Sequence, residues 1–212
     1  MESTYSQKNS HGRCIDHILD EIINNRDGFF IELGANDGLE QSNTAFFEFH
    51  RGWTGLLIEP SLDKYTQCVT NRKSSLVVHG ACVSDTYEGS TVLGDFDGSL
   101  MSSISGKRLG RSSSVSVPAF TLSKLLERFN GCEIDLLSLD TEGYEMEVLK
   151  GLDIQRNSPK YMIIEIYWKD FDDISEFLSS NGYRLYSSIT NYNPRDNPQW
   201  DGTHNDYLFE KV

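Results

Sequence analysis

Asp140, Glu142 and Glu145 crowd the stretch DTEGYE, Glu165 interrupts the apolar run MIIEIYW, and His204 opens HNDY near the end of the chain. Carboxylates and imidazoles relieve an alcohol of its proton, and the ordinary pKa of histidine suits that work near neutrality. Asp140 closes an apolar run and is the first candidate for a reactive centre, with Glu142 just beyond it. Glu165 on an otherwise apolar strand is costly unless it is paired or faces a wet cleft. Asp140 and Glu165 also carry the oxygen donors that Mg²⁺ or Mn²⁺ prefers, so a base and a metal are both open readings. Glu145, one helical turn on, reads as a solvated helix face. His204 follows a long loop, which suits the edge of a site, although a lone histidine is often structural. His11, His17, His50 and His79 have no comparable context.

A second constellation lies upstream, in FFIELGANDGLEQSN at residues 29–43. An apolar strand runs into Glu32, then into a loop bounded by Gly34 and Gly38, and a helical pattern follows. Glu59 ends the next apolar strand, 21 residues after Gly38, a spacing that suits an acid gripping ribose hydroxyls. A dinucleotide site wants a further glycine between the two, so that backbone touches pyrophosphate. Here Asn36 and Asp37 hold the apex, and an aspartate there repels phosphate. A nucleoside bearing a cationic or zwitterionic group fits better, and S-adenosylmethionine is the obvious candidate.

The elements that must position these residues alternate. Helical spacing covers about 14–26, followed by strand FFIEL, a helix from about 43 to 50 capped by Ser42 or Asn43, and strand GLLIEP. A helix at about 61–72 and strand LVVHGA come next, giving β-α-β-α-β with short connections, the pattern of a parallel sheet covered on both faces. Residues 86–117 interrupt the alternation. STVLGD suggests a small extra strand, and DGSLMSSISGKRLGRSSS, with Lys107, Arg108 and Arg111, reads as a lid or a disordered segment, 95–114 at its heart. Then follow helix TLSKLLERF, strand IDLLSLD, helix EMEVLKGL, strand YMIIEIYW, a helix at about 170–180, and the closing strands GYRLYSSI and HNDYLFEKV. Glu32, Glu59, Asp140 and Glu165 thus sit at or near the carboxyl ends of strands, the edge where open α/β sheets bind ligands.

Composition narrows the partners. One domain over residues 1–212 is the default for this length, with 1–27 as an N-terminal segment and helix and 86–117 as an insertion. A net charge of −13 argues against nucleic acid and against an anionic membrane surface. The four cysteines form no C-x-x-C pair, and no run approaches a membrane span or a signal peptide core, which together point to a soluble cytoplasmic protein.

FIELGANDGLEQSNT, GWTGLLIEP, NR, IDLLSLDTEGYEMEVLKGLD, IIEI and HNDYLF, in that order across residues 28–211, resemble the FkbM-type S-adenosylmethionine-dependent O-methyltransferases. The resemblance implies a Rossmann-like class I methyltransferase fold, with a seven-stranded sheet in the order 3-2-1-4-5-7-6 and the seventh strand antiparallel. It implies a hydroxyl acceptor on a sugar, glycan or similar small molecule, a deoxyhexose such as rhamnose among them. Some members are fused to glycosyltransferases, so this chain reads equally as a module of a larger polypeptide. Carried over, Glu32, Gly34, Ala35, Asn36, Asp37 and Gly38 would hold the methionine part of the cofactor, and Ser42 and Asn43 its carboxylate. Glu59 would hold the ribose, Pro60 would lie beside the adenine, and Ala81, Cys82 and Val83 would line the adenine edge, with Asp140 near the methyl. Tyr167, Trp168, Tyr192 and Trp200 supply rings on which a sugar could stack. An NAD-dependent oxidoreductase and a catalytically silent binding module are the rival readings.

Overall fold

The computed structural model describes residues 3–96, 115–198 and 200–212. Helix α1 spans Ile15–Ile23 and buries Ile15 and Leu19, which lie one turn apart on one face. It stops at Asn24, whose left-handed backbone returns its N–H to the Asp20 carbonyl. Strand β1 (Phe29–Leu33), helix α2 (Ala45–Arg51), strand β2 (Thr54–Glu59), helix α3 (Leu62–Asn71) and strand β3 (Leu76–His79) follow in alternation. After β4 (Ala81–Cys82), β5 (Thr91–Gly94) and β6 (Val115–Phe120) come helix α4 (Leu122–Leu126), a 3₁₀ turn over Glu127–Phe129 and strand β7 (Leu136–Leu139). Helix α5 (Glu145–Lys150), strand β8 (Tyr161–Tyr167), helix α6 (Phe171–Ser180), β9 (Tyr183–Ser188) and β10 (His204–Lys211) complete the chain.

Seven strands form the main sheet in the order β3-β2-β1-β7-β8-β10-β9. Counted within that sheet alone, the order is 3-2-1-4-5-7-6, and β10 runs antiparallel to both its neighbours, as the family resemblance implied. The period of two in each strand sends successive side chains to opposite faces. Phe29, Ile31, Leu33, Ile58, Leu137, Leu139 and Ile164 enter one core, and Phe30, Leu57, Leu136, Ile163 and Leu208 enter the other. Strands buried on both faces account for the nearly unbroken apolar runs of the sequence.

Two expectations shift. LVVHGA does not run on as one strand: the main-sheet strand ends at His79, and Ala81–Cys82 pairs instead with β6 in a separate sheet ordered β4-β6-β5. STVLGD does contain a strand, β5, but its partner β6 starts inside the segment read as an interruption. The lid-or-disorder reading of 95–114, with Lys107, Arg108 and Arg111, falls on 97–114, outside the described residues, apart from Asp95 and Phe96. Among the described residues no helix is long and apolar enough to cross a membrane.

The sheet order changes direction at β1, which has β2 on one side and β7 on the other. Such a switch point opens a crevice outside the carboxyl ends of the strands. Gly34, the first residue past β1, has φ +77°, and a Cβ there would lie 2.0 Å from the Asp140 carbonyl oxygen. Only glycine lets the ends of β1 and β7 approach so closely.

Candidate functional site

The glycine loop is held from behind by a buried arginine. Arg72, at the end of α3, donates from Nε to Glu48 at 2.9 Å and from Nη2 to the Thr44 hydroxyl at 2.9 Å. Its Nη1 reaches the Gly38 carbonyl at 3.0 Å, Ser42 Oγ at 3.2 Å and Glu32 at 3.4 Å. The guanidinium also lies 5.1 Å over the Phe30 ring. Glu32 in turn accepts from the Ser42 hydroxyl, the Asn43 N–H and the Thr44 hydroxyl. A buried charge survives only when paired and hydrogen-bonded, and here both signs are. Gly38 packs on this arginine: its φ is +83°, and a Cβ would come within 2.7 Å of Arg72 Cγ. At the apex, Asp37 Oδ1 accepts from the Leu39 and Glu40 N–H groups, both at 2.8 Å, and so tightens the turn.

In front of the loop lies a cleft of about 850 Å³, measured with its open mouth. Gly34, Ala35, Asn36, Ser42, Glu59, Pro60, Ala81, Cys82, Asp140 and Glu142 of the sequence-derived set line it. Glu59 accepts from the Asn36 N–H at 2.7 Å and from the Ser61 N–H at 2.8 Å, one bond to each oxygen, which leaves further lone pairs on both. Burial pushes its carboxyl up to about 7, against the opposing pull of those two N–H groups. Among the described residues, neither polar atom of the buried Asn36 amide has a partner. A buried amide with neither group satisfied calls for a polar ligand, as a bound nucleoside with an amino-acid tail would be.

The reactive edge is built by strand register. Glu165 of β8 is paired with Asp206 of β10, and Tyr167 with His204, so two-residue alternation gathers all four on one face. One oxygen from each of Asp140, Glu142 and Glu165 lies within 4.8 Å of the others. Tyr167 donates its hydroxyl to Glu142 at 2.6 Å. His204 Nε2 stands 3.5 Å from Glu165 Oε2, and its Nδ1 3.5 Å from Asp201. Burial, reinforced by the neighbouring carboxylates, drives the Asp140 and Glu165 carboxyls well above the usual range. Burial also pushes Asp206 up to about 6. Such groups hold their protons far more tightly than a solvated acid does.

The loop that presents Asp140 and Glu142 is fixed by Glu145. Its Oε1 accepts from the Thr141 N–H at 2.9 Å, the Thr141 hydroxyl at 3.0 Å and the Gly143 N–H at 3.1 Å. This corrects the expected solvated helix face, because Glu145 is 2% exposed and turned back into the loop it closes. Glu142 takes a left-handed φ of +56° within that turn.

Not every predicted residue faces the cleft. Glu32 and Asn43 lie behind the loop, where Asn43 Nδ2 donates to Ser138 Oγ at 3.1 Å. Asp37 and Gly38 shape the turn, and Val83 is buried, its N–H bound to the Phe120 carbonyl at 2.9 Å. Ser42 lines the cleft, but its oxygen also accepts from the Thr44 and Ala45 N–H groups at the start of α2. Sequence reasoning overlooked Glu40, Gln41, Lys64, Phe96 and Thr141 in the lining, and Asp206 beside the acids. Asp206 could have been found, since it lies two residues after His204 on the same strand. Among the aromatics, Tyr167 is at the site and Trp168 is 73% exposed, whereas Trp200 donates to the His204 carbonyl and Tyr192 to the Lys8 carbonyl.

A sheet in this order, with a glycine loop after its first strand and an acid ending its second, defines the class I fold of S-adenosylmethionine-dependent methyltransferases. Solved structures agree: the METTL16 methyltransferase domain superposes with a TM-score of 0.52 at 13% identity, covering 93% of this chain and 66% of that one. The chain belongs to the FkbM methyltransferase family, whose methyltransferase FkbM domain matches residues 32–185. A TehB-like S-adenosylmethionine-dependent methyltransferase from Corynebacterium glutamicum ATCC 13032 Kitasato gives 0.50 at 10% identity, covering 93% and 88% of the two chains. Fibrillarin from Aeropyrum pernix, with natively bound S-adenosyl-L-methionine, gives 0.50 at 10%, covering 87% and 67%. Comparison with curated proteins returns no match.

Proposed function

We propose that this methyltransferase acts on oxygen, transferring a methyl group to a hydroxyl of a sugar or glycan. The observation that carries the reading is the convergence of Asp140, Glu142 and Glu165 within 4.8 Å, with Asp140 and Glu142 also lining the cofactor cleft. A hydroxyl bound against these acids lies next to the cofactor. S-Adenosylmethionine, when bound, supplies a sulfonium methyl that needs no further activation. The chain therefore has to align an oxygen and remove its proton. Alignment is worth up to about 7–11 kcal/mol of the barrier.

Glu59 is suited to the ribose hydroxyls through its remaining lone pairs, and the unpartnered Asn36 amide to a polar group of the cofactor. Pro60, Ala81 and Cys82 give the adenine an apolar slot. Asp140, Glu142, Glu165 and His204 receive the acceptor and its proton. His204 beside Glu165 offers a route for that proton, its ordinary pKa suiting general-base work near neutrality. Tyr167 and the exposed Trp168 near the same edge support a carbohydrate acceptor, whose apolar faces stack on rings. With a net charge of −13, a neutral acceptor is favoured over nucleic acid, and a glycosyltransferase that builds the glycan is the natural companion.

Candidate mono- and oligosaccharides incubated with isotopically labelled cofactor, then analysed by mass spectrometry, test the reading. A labelled methyl ether on a sugar supports it. Labelled nucleic acid or protein with unlabelled sugars overturns it.

A further inference from the structure

We propose that Asp140, Glu142 and Glu165 form a binding site for a hard divalent cation of the Mg²⁺ or Mn²⁺ type, at the acceptor end of the cleft. The donor set consists of carboxylate oxygens alone, which suits such ions and disfavours zinc or copper. The three side chains come from two parts of the fold, the β7–α5 loop and strand β8, yet their ligating oxygens lie within 4.8 Å of one another.

Glu165 is 5% exposed, and among the described residues its Oε1 has no hydrogen-bond partner; Asp140 Oδ1 likewise has none there. Buried carboxylate oxygens are rarely left so. The neighbouring acceptors aggravate the problem, because the carboxylate of Asp206 is also buried and its Oδ2 has no partner among the described residues. Among the described residues, Tyr167 donates to Glu142, and His204 Nε2 stands 3.5 Å from the other oxygen of Glu165. A dication among these acids offsets their mutual repulsion and gives their under-satisfied carboxylates a ligand. The fixing of the DTEGYE turn by Glu145 holds two of the ligands in place before any ion arrives.

An ion held by three protein oxygens keeps positions for water or for acceptor hydroxyls, since Mg²⁺ takes six ligands in all. This deepens the O-methyltransferase reading and rests on it for the role of the ion, but ion binding itself is measurable without any acceptor.

The chain, freed of metal with a chelator, is titrated with Mn²⁺, and the free-ion signal is followed by electron paramagnetic resonance. S-Adenosylhomocysteine binding is measured in parallel by calorimetry. One Mn²⁺ per chain is expected, displaced by Mg²⁺, with Glu165→Gln and Asp140→Asn each weakening it at least about tenfold. Glu165→Gln should still bind S-adenosylhomocysteine, which shows that it folds. Homocysteine-nucleoside binding by the parent chain without Mn²⁺ binding overturns the cation site and leaves the methyltransferase reading intact. Equal Mn²⁺ binding by the parent and both variants overturns it too. A parent chain that binds neither ligand overturns both readings.

Discussion

Replacing Arg72 with methionine tests whether the cofactor loop depends on one buried cation. The side chain is fully buried and ties Glu48, Glu32, the Gly38 carbonyl, Ser42 and Thr44 to a single guanidinium. Methionine keeps much of the volume but leaves two buried carboxylates without their counter-charge. Breaking a buried pair in this way costs about 3–5 kcal/mol. Against a typical folding stability of roughly 5–15 kcal/mol, that is a large fraction. Urea unfolding at fixed pH reads it directly: the midpoint should fall by the corresponding amount while the slope stays unchanged. Arg72→Lys should lose less, because an ammonium keeps the counter-charge, but it cannot span both acids, so its folded form should bind S-adenosylhomocysteine more weakly as Gly38 and Ser42 lose their hold. Combining Arg72→Met with Glu32→Gln and Glu48→Gln should restore most of the stability. An Arg72→Met chain within about 1 kcal/mol of the parent would refute the reasoning, since it would mean those carboxylates never relied on the arginine.

Glu59 gives the ligand-free chain a pH dependence. Its carboxyl rises from 4.5 to about 7 on folding, so between those values the folded chain holds a proton that the unfolded chain has released. Stability from this group is therefore full below pH 4.5 and falls by about 3 kcal/mol as pH rises through 7; denaturation curves of Glu59→Gln should lack that fall. Gly34→Ala must adopt φ +77° and place a Cβ 2.0 Å from the Asp140 carbonyl, so it should cost at least about 2 kcal/mol in urea unfolding and weaken S-adenosylhomocysteine binding in calorimetry. Glu145→Ala removes the acceptor of three hydrogen bonds in the DTEGYE turn, and turnover should drop by at least about tenfold while S-adenosylhomocysteine affinity changes far less.

The sheet was legible because strands buried on both faces advertise themselves as apolar runs, and the acids that end them are visible in the same runs. Depth within the sheet was not. Glu32 and Glu59 look equivalent in sequence, each closing an apolar strand, yet only Glu59 lines the cleft. The difference lies in how adjacent strands align, which no single strand encodes. Glu32 is paired with Leu57, two residues short of Glu59, and so lies two rungs inside the sheet under the start of α2. Arg72 was hidden for a related reason. NR stands out as a dipeptide, but nothing local says that a side chain at the end of α3 turns inward to meet acids 24 and 40 residues earlier in the chain.

The same alignment explains why chemistry collects where it does. Leu33 is paired with Ile58 and Leu139, and Leu139 with Ile164, so the next position on each strand is Gly34, Glu59, Asp140 and Glu165. Asp206, paired with Glu165, extends that line onto the antiparallel strand β10. One rung thus runs along the edge formed by the carboxyl ends of four parallel strands and the amino end of β10, with glycine at the switch point and an acid on each of the other four strands. Moving one strand of this set by a single residue would turn its acid to the opposite face and bury it in the core. The apolar alternation beneath fixes the register, and the register places the acids; the same packing that stabilises the sheet aligns the groups at its edge. Glu32, two rungs deeper and behind the glycine loop, is paired with the buried Arg72 instead.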